Sequence, residues 1–367
     1  MKPAARLGAR RIAGALAAGA VSLAALAGCG SHPSAAPDRG RPRATTTTTT
    51  GGPGSATTTT VPAVPTDPLT GTKVSSRIAR RPAVVVKIDN IAAALPQTGV
   101  ERADVVYEEM VEGGLTRLAA VFQTVYPASV GPVRSGRLTD EGIADDLGHP
   151  VLAFSGANGL FLPVLMAQPV TVVDDDNYPG IFERDPYRVE PHNLYGDVAE
   201  MAAADHPAGP PPALWSFRAP GQPFGGAGSQ AAAGVSVEFP AAVATWTWDA
   251  HLGLYLRTQD GAPDSSAGGH RLAAANVIVQ WIPYVTSAYV SGEGPAADGD
   301  PIPKGVMVGS GTAWFFSGGR LVKGHWSRSS LVAPTRYTDD AGRPVALARG
   351  RTWVELPAVG APVTTTP

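Results

Sequence analysis

Cysteine is nearly missing from this chain, with one residue in 367. A single thiol excludes an intrachain disulfide framework and any thiolate-rich metal site. Charge is sparse at 16% of residues, and aromatics make up 7%. Lys2, Arg6, Arg10 and Arg11 fall in a leading segment without acids, and the remainder carries 25 basic against 31 acidic groups. There is thus no cationic surplus to displace counterions from phosphate backbones, and general nucleic-acid binding is disfavoured. Nucleophile signatures are lacking: the chain has no Gly-x-Ser-x-Gly elbow and no Gly-x-x-x-x-Gly-Lys-Ser/Thr loop. His149, His206, His251, His270 and His325 are scattered, and no two have the helical spacing of metal ligands. No apolar run reaches the ~18 residues of a transmembrane helix. What is present, 44% hydrophobic residues over this length, suffices for one large domain or two ordinary ones.

The four leading basic residues precede an apolar run over residues 12–26. As a helix it would rise roughly 22 Å, short of the ~30 Å hydrocarbon layer, which fits a signal sequence rather than a permanent span. The run ends in Leu26-Ala27-Gly28-Cys29, which resembles the lipobox of bacterial lipoproteins. That resemblance implies cleavage before Cys29, acylation of its sulfur by fatty acids such as palmitate, and an anchor on the outer face of the cytoplasmic membrane. Two acyl chains anchor stably where one would not. Residues 30–66 are Ser, Pro, Gly, Ala and Thr with almost no large apolar side chain, so nothing offsets the entropy of ordering them. The expected organisation is a signal over 1–28 and a flexible tether over 29–66, with its Pro-interrupted Thr tracts similar to O-glycosylated stalks.

Residues 67–206 mix strand and helix patterns and predict an α/β first domain. Strands are expected over 83–89, 103–111, 115–126 (turning at Gly113-Gly114) and 151–154. Helices are expected over 139–147, capped by Thr139, over 158–168, and over 192–204 with Asn193 or Asp197 near its start. A Pro/Gly-rich connection spans 207–234. Residues 235–357 carry short aromatic and β-branched runs at 235–239, 244–248, 252–257, 276–282, 305–308, 312–316, 321–326 and 352–356, which predict a mostly antiparallel β domain. The tail over 358–367, ending in Thr364-Thr365-Thr366, is expected to fray.

Several ungapped blocks resemble the YerB-like lipoproteins. In the first half these are Val84-Val85-Val86-Lys87-Ile88-Asp89-Asn90, Ala103-Asp104-Val105-Val106-Tyr107-Glu108-Glu109 and Val111-Glu112-Gly113-Gly114-Leu115-Thr116-Arg117. Gly131-Pro132-Val133-Arg134-Ser135-Gly136-Arg137, Arg184-Asp185-Pro186-Tyr187-Arg188 and Pro191-His192-Asn193-Leu194-Tyr195 extend the match. Gly324-His325-Trp326-Ser327-Arg328 and Gly350-Arg351-Thr352-Trp353 carry it into the second half. The resemblance implies an exported lipoprotein of the Gram-positive envelope, with an α/β domain before a smaller one. It lends no reaction, so the blocks are read on their own chemistry.

Arg134 and Arg137 flank Ser135-Gly136 in a loop before a helix start, where backbone N–H groups and two guanidiniums can hold phosphate or carboxylate. Arg117, Asp89, Asn90 and Glu112 complete the candidate anion site. The alternative is that both arginines pair with internal acids, for which Glu101, Asp104, Glu108, Glu109 and Glu112 are available. Glu108 and Glu109 cannot share one side of a strand, so at most one serves such a site. A second cluster, Arg184, Asp185, Arg188, His192 and Asn193, offers either an acid/base histidine or an ordered loop with a helix cap. Asp174-Asp175-Asp176-Asn177 lacks EF-hand spacing and reads as a solvated turn. Trp246, Trp248, Trp281, Trp314, Trp326 and Trp353 are expected in the core rather than on a carbohydrate platform.

Three functions follow as expectations. The first is a membrane-anchored envelope lipoprotein whose Arg/acid cleft receives an anionic wall or lipid-linked ligand, with no cofactor. The second rests on Ile88-Asp89, Arg102-Ala103-Asp104 and Val133-Arg134-Ser135, which are similar to blocks of the LytR–CpsA–Psr phosphotransferases. That likeness implies Mg²⁺-dependent transfer from lipid-linked pyrophosphates. The third is a scaffold that binds another envelope protein through the β domain.

Overall fold

The computed structural model describes residues 64–157, 162–204, 209–290 and 301–367. Cys29, the signal run, nearly all of the tether, Asn158 and His206 lie outside the described residues. In chain order the principal strands are β1 (Val84–Asp89), β2 (Val105–Met110), β3 (Thr116–Phe122), β4 (Val151–Phe154), β5 (Thr171–Asp174), β6 (Phe182–Arg184), β7 (Leu194–Gly196), β8 (Gly234–Phe239), β9 (Ala242–Asp249), β10 (Leu254–Gln259), β11 (Asn276–Gln280), β12 (Gly309–Ser317), β13 (Arg320–Arg328), β14 (Arg336–Asp339), β15 (Thr352–Leu356) and β16 (Val363–Thr366). The helices are α1 (Thr139–Asp146), α2 (Leu162–Met166) and α3 (Val198–Ala203).

Ten of these strands form one sheet in the order β14-β13-β12-β11-β15-β2-β3-β1-β4-β5. It draws on both halves of the chain, because β15 lies parallel to β2 on one side and to β11 on the other. β1, β3, β11 and β15 are buried along their whole length, since the sheet is covered on both faces. This is why they read as continuous apolar runs rather than alternating ones. One face packs on Val198 and Met201 of α3 and on a second, antiparallel sheet ordered β10-β9-β8-β16, through Val235, Val237 and Trp246. The other packs on Ile143 and Leu147 of the α1 segment and on Leu214, Trp215, Phe224 and Met307.

The first half is mixed α/β and the second mostly antiparallel β, as read from the sequence, and the β2–β3 hairpin turns at Gly113-Gly114. Trp246, Trp326 and Trp353 are buried, and the other three of the six pack against the core partly exposed. Four local expectations are corrected. Residues 194–196 form β7 instead of helix; Asp197 starts α3 by accepting the N–H groups of Ala199 (2.7 Å) and Glu200 (3.1 Å). Thr139 does not cap α1, because its hydroxyl accepts the Gly305 N–H at 2.9 Å, while Asp140 accepts the Arg137 N–H at 2.7 Å. The strand expected over 305–308 is not there: Gly305 ends strand Pro301–Gly305, and residues 306–308 link it to β12. The tail does not fray: β16 pairs antiparallel with β8, and backbone hydrogen bonding at a sheet edge needs no apolar side chain.

Candidate functional site

Strand register assembles the site. Asp89, last in β1, lies opposite Arg117 in β3, and Arg117 in turn lies opposite Glu109 in β2. Because side chains alternate, Lys87, Asp89, Arg117 and Glu109 share one face. The loop carrying Arg134 and Arg137 is stitched onto the end of β1. Arg134 N–H donates to the Lys87 carbonyl (2.9 Å), Ser155 N–H to the Arg134 carbonyl (3.0 Å) and Val133 N–H to the Leu194 carbonyl (2.7 Å). At Gly131, φ is +158°, and a Cβ there would meet the Leu194 carbonyl oxygen at 2.6 Å, so only glycine allows the loop this close.

Three guanidiniums meet where the loop crosses the sheet. Arg134 Nε lies 3.0 Å from Asp89 Oδ2, yet its N–H is not aimed at an acceptor. Arg137 Nε donates to Glu112 Oε2 at 2.9 Å, and its Nη1 donates to the Gly136 carbonyl at 2.9 Å. Arg117 is 7% exposed and donates to the Ser135 carbonyl at 2.9 Å. Among the described residues no carboxylate reaches ion-pair distance of it. Burial first, then the like charges of Arg137 and Arg134, pull its pKa down to about 9. Burial alone would raise the Glu112 carboxyl, but Arg137 and then Arg117 hold it below its ordinary value.

His192 joins this cluster, with its Nδ1 2.6 Å from Asp89 Oδ2. The sequence reading keeps it in the second cluster, since 103 positions separate the two residues. The rest of that cluster orders its own loop. Arg184 donates to Asn193 Oδ1 at 3.0 Å and pairs with Asp175 and Glu190. Asn193 donates to the Asp185 and Arg188 carbonyls, and Arg188 to the carbonyls of Ala94, Leu95 and Pro96 and to the Tyr195 hydroxyl. A cleft of about 530 Å³ opens along this loop, walled by Thr98, Glu183, Asp185, Tyr187, Arg188 and Tyr195 among others; the three arginines do not line it.

Two parts of the expected anion site are corrected. Asn90 turns away: its Nδ2 donates to Glu108 Oε1 (3.0 Å) and Thr116 Oγ1 (2.8 Å), while its Oδ1 accepts from Gln97. Backbone N–H groups of the loop are also spent internally, on Lys87, Gly156 and Asp140. Guanidinium groups are what the site offers a ligand. Both arginines do pair with internal acids, Arg137 with Glu112 as the alternative reading allows and Arg134 with Asp89, which it does not name.

Beneath the arginines lies a group the sequence reading missed. Lys87 is fully buried and ion-paired with Glu109 and, at 2.8 Å, with Asp140 Oδ1. Its signal was a charge set between Val86 and Ile88 in a run of apolar residues, which must find a partner if both faces are covered. Glu108 points to the opposite face, pairing with Arg257 Nη2 at 2.7 Å, so only Glu109 lies on the arginine side.

A B. subtilis (strain 168) protein named "Putative lipoprotein YerB" is 46% identical over 70 residues, which are 19% of this chain and 21% of that protein's length. The crystal structure of YerB from B. subtilis superposes with a TM-score of 0.66 at 21% identity, covering 82% of this chain and 99% of that one, and so shares its fold. Residues 69–209 match the N-terminal domain of a protein of unknown function, DUF3048, and residues 235–354 match its C-terminal domain. With both domains matched in order across the strands that build the common sheet, this chain belongs to the DUF3048 family.

Proposed function

We propose that this chain is an exported lipoprotein, acylated at Cys29 and held at the outer face of the cytoplasmic membrane, whose first half binds a phosphate-bearing envelope ligand at Arg117, Arg134 and Arg137. The lipoprotein part is supported by the lipobox resemblance and by the name of the B. subtilis relative. The observation that carries the binding part is Arg117: a buried guanidinium between two others, with no carboxylate partner among the described residues. Asp89 and Glu112 are each ion-paired with another arginine, and Glu109 with Lys87, so among the described residues Arg117 is left with the Ser135 carbonyl alone. A buried cation left so is costly in an empty site and is stabilised when an anion arrives. Arg134, whose side chain is 22% exposed, gives the ligand an edge from which to enter.

The phosphotransferase reading draws no support, because Asp89, one of the residues it rests on, is engaged by Arg134 and His192. The test is thermal unfolding of the protein in increasing inorganic phosphate and pyrophosphate at constant ionic strength. Binding raises the melting temperature with ligand concentration, as required of any ligand that prefers the folded state. Arg134→Ala removes most of that rise. A parent protein whose melting point ignores both anions ends the proposal.

A further inference from the structure

Lys87, Glu109 and Asp140 form a closed group, all three fully buried. Lys87 comes from β1 and Glu109 from β2, two strands away. Between them stands Ala119 of β3, in register with both Lys87 and Tyr107, whose small side chain lets the lysine reach across. Asp140 enters from the first turn of α1. Around them the same face carries Val85, Tyr107 and Val121, all buried. One ammonium against two carboxylates leaves a negative charge buried away from water. Polar atoms are also left over. Glu109 Oε2 has no hydrogen-bond partner, and Asp140 Oδ1, though 2.8 Å from Lys87 Nζ, lies off the hydrogen-bonding directions. Asp140 Oδ2 accepts the Arg137 backbone N–H at 2.7 Å.

We propose that Lys87 Nζ and the Asp140 side chain condense into an intramolecular amide, with Glu109 as the proton carrier. The neutral amine attacks Asp140 Cγ, and the charge that develops on Oδ2 meets the Arg137 N–H, as an oxyanion donor would. Glu109 takes two protons from the nitrogen in turn and hands each to Oδ1; once the N–C bond has formed, the charge on Oδ2 returns to the carbonyl and the Cγ–Oδ1 bond breaks. Of the three ammonium protons one stays on the amide and two leave with Oδ1 as water, and nothing is oxidised or reduced. Burial, opposed by Lys87 and assisted by Asp140, lifts the Glu109 pKa to about 7, so the carboxyl can both give and take a proton near neutrality. The product replaces a buried ion pair by a neutral amide and stands independently of the anion-binding reading.

A tryptic digest of the denatured full chain decides the matter by mass spectrometry. The amide blocks cleavage after Lys87 and yields a branched peptide joining residues 81–102 and 138–184, lighter than their sum by one water. Glu109→Gln, which keeps the volume, loses the branch while its circular dichroism stays that of the parent. Recovery of residues 81–87 and 88–102 as separate linear peptides from the parent overturns the proposal. So does a branch to residues 103–117, which would place the bond on Glu109.

Discussion

Arg117 stands in register between two carboxylate-bearing positions, Asp89 and Glu109, and pairs with neither, because Asp89 is taken by Arg134 and His192 and Glu109 by Lys87. Its pKa of about 9 is below the ordinary arginine range, so the folded chain releases this proton more readily than the unfolded one. For a base depressed in that way, stability rises as pH climbs above about 9, and the cost of the charge is fully present at neutral pH. Replacing the side chain by an apolar one of similar length removes that cost together with the ligand's partner. We expect Arg117→Met to stabilise the ligand-free protein by about 1 kcal/mol, the Ser135 carbonyl it exposes notwithstanding. The same substitution abolishes the phosphate-dependent rise in melting temperature. Melts with and without phosphate check both halves; a destabilised variant that still answers to phosphate would make Arg117 a structural residue only.

Strands that were visible in the sequence are those with their cause written locally. β1 and β11 are apolar on both sides because both sides are covered, and β2–β3 carries its turn in Gly113-Gly114. β7 was hidden because residues 192–204 alternate small, apolar and polar side chains without a clear period, and only Asp197 marks where the helix begins. At the site, Arg134 and Arg137 are legible from their loop, while His192 lies 103 positions from Asp89, and Asn90 leaves the site because one residue beyond Asp89 the chain faces the other way. Nothing local announces that β15 slots between β2 and β11, since parallel pairing of distant segments leaves no mark on periodicity. That placement gives the two last strands very different weights. Removing residues 363–367 strips an edge strand whose Thr364, Thr365 and Thr366 are exposed, and the protein should remain folded with a melting point lower by a few degrees. Removing residues 352–367 takes a fully buried strand from the middle of the sheet, and no cooperative unfolding transition should survive, as read by circular dichroism on heating.

Across the whole molecule the two halves meet around a charge that neither could bury alone. Arg257, in β10 of the second half, is fully buried; its Nη2 donates to Glu108 of the first half at 2.7 Å, and its Nη1 pairs with Asp264 and donates to Gln259 at 2.8 Å. Burial would lower its pKa, but Glu108, Asp264 and Glu355 outweigh that and hold it above the arginine range. Glu355, also buried, is pushed well up by desolvation and by Glu108, and its Oε1 accepts the Trp246 indole N–H at 2.7 Å. The guanidinium also lies 4.9 Å from the Trp353 ring centre, so packing alone is the rival explanation of its place. Arg257→Met keeps most of the packing and leaves Glu108 and Asp264 uncompensated, a loss of about 3–5 kcal/mol at neutral pH. The variant also takes from Glu355, already pushed well up by burial and Glu108, the cation that opposes them, so the stability kept while that carboxyl is protonated is present at low pH and lost as pH rises. The deficit of the variant, measured by urea unfolding beside the parent, should therefore shrink from pH 7.5 towards pH 4.5. A deficit of equal size at both pH values would mean that Arg257 joins the halves by its contact with Trp353 and not by its charge.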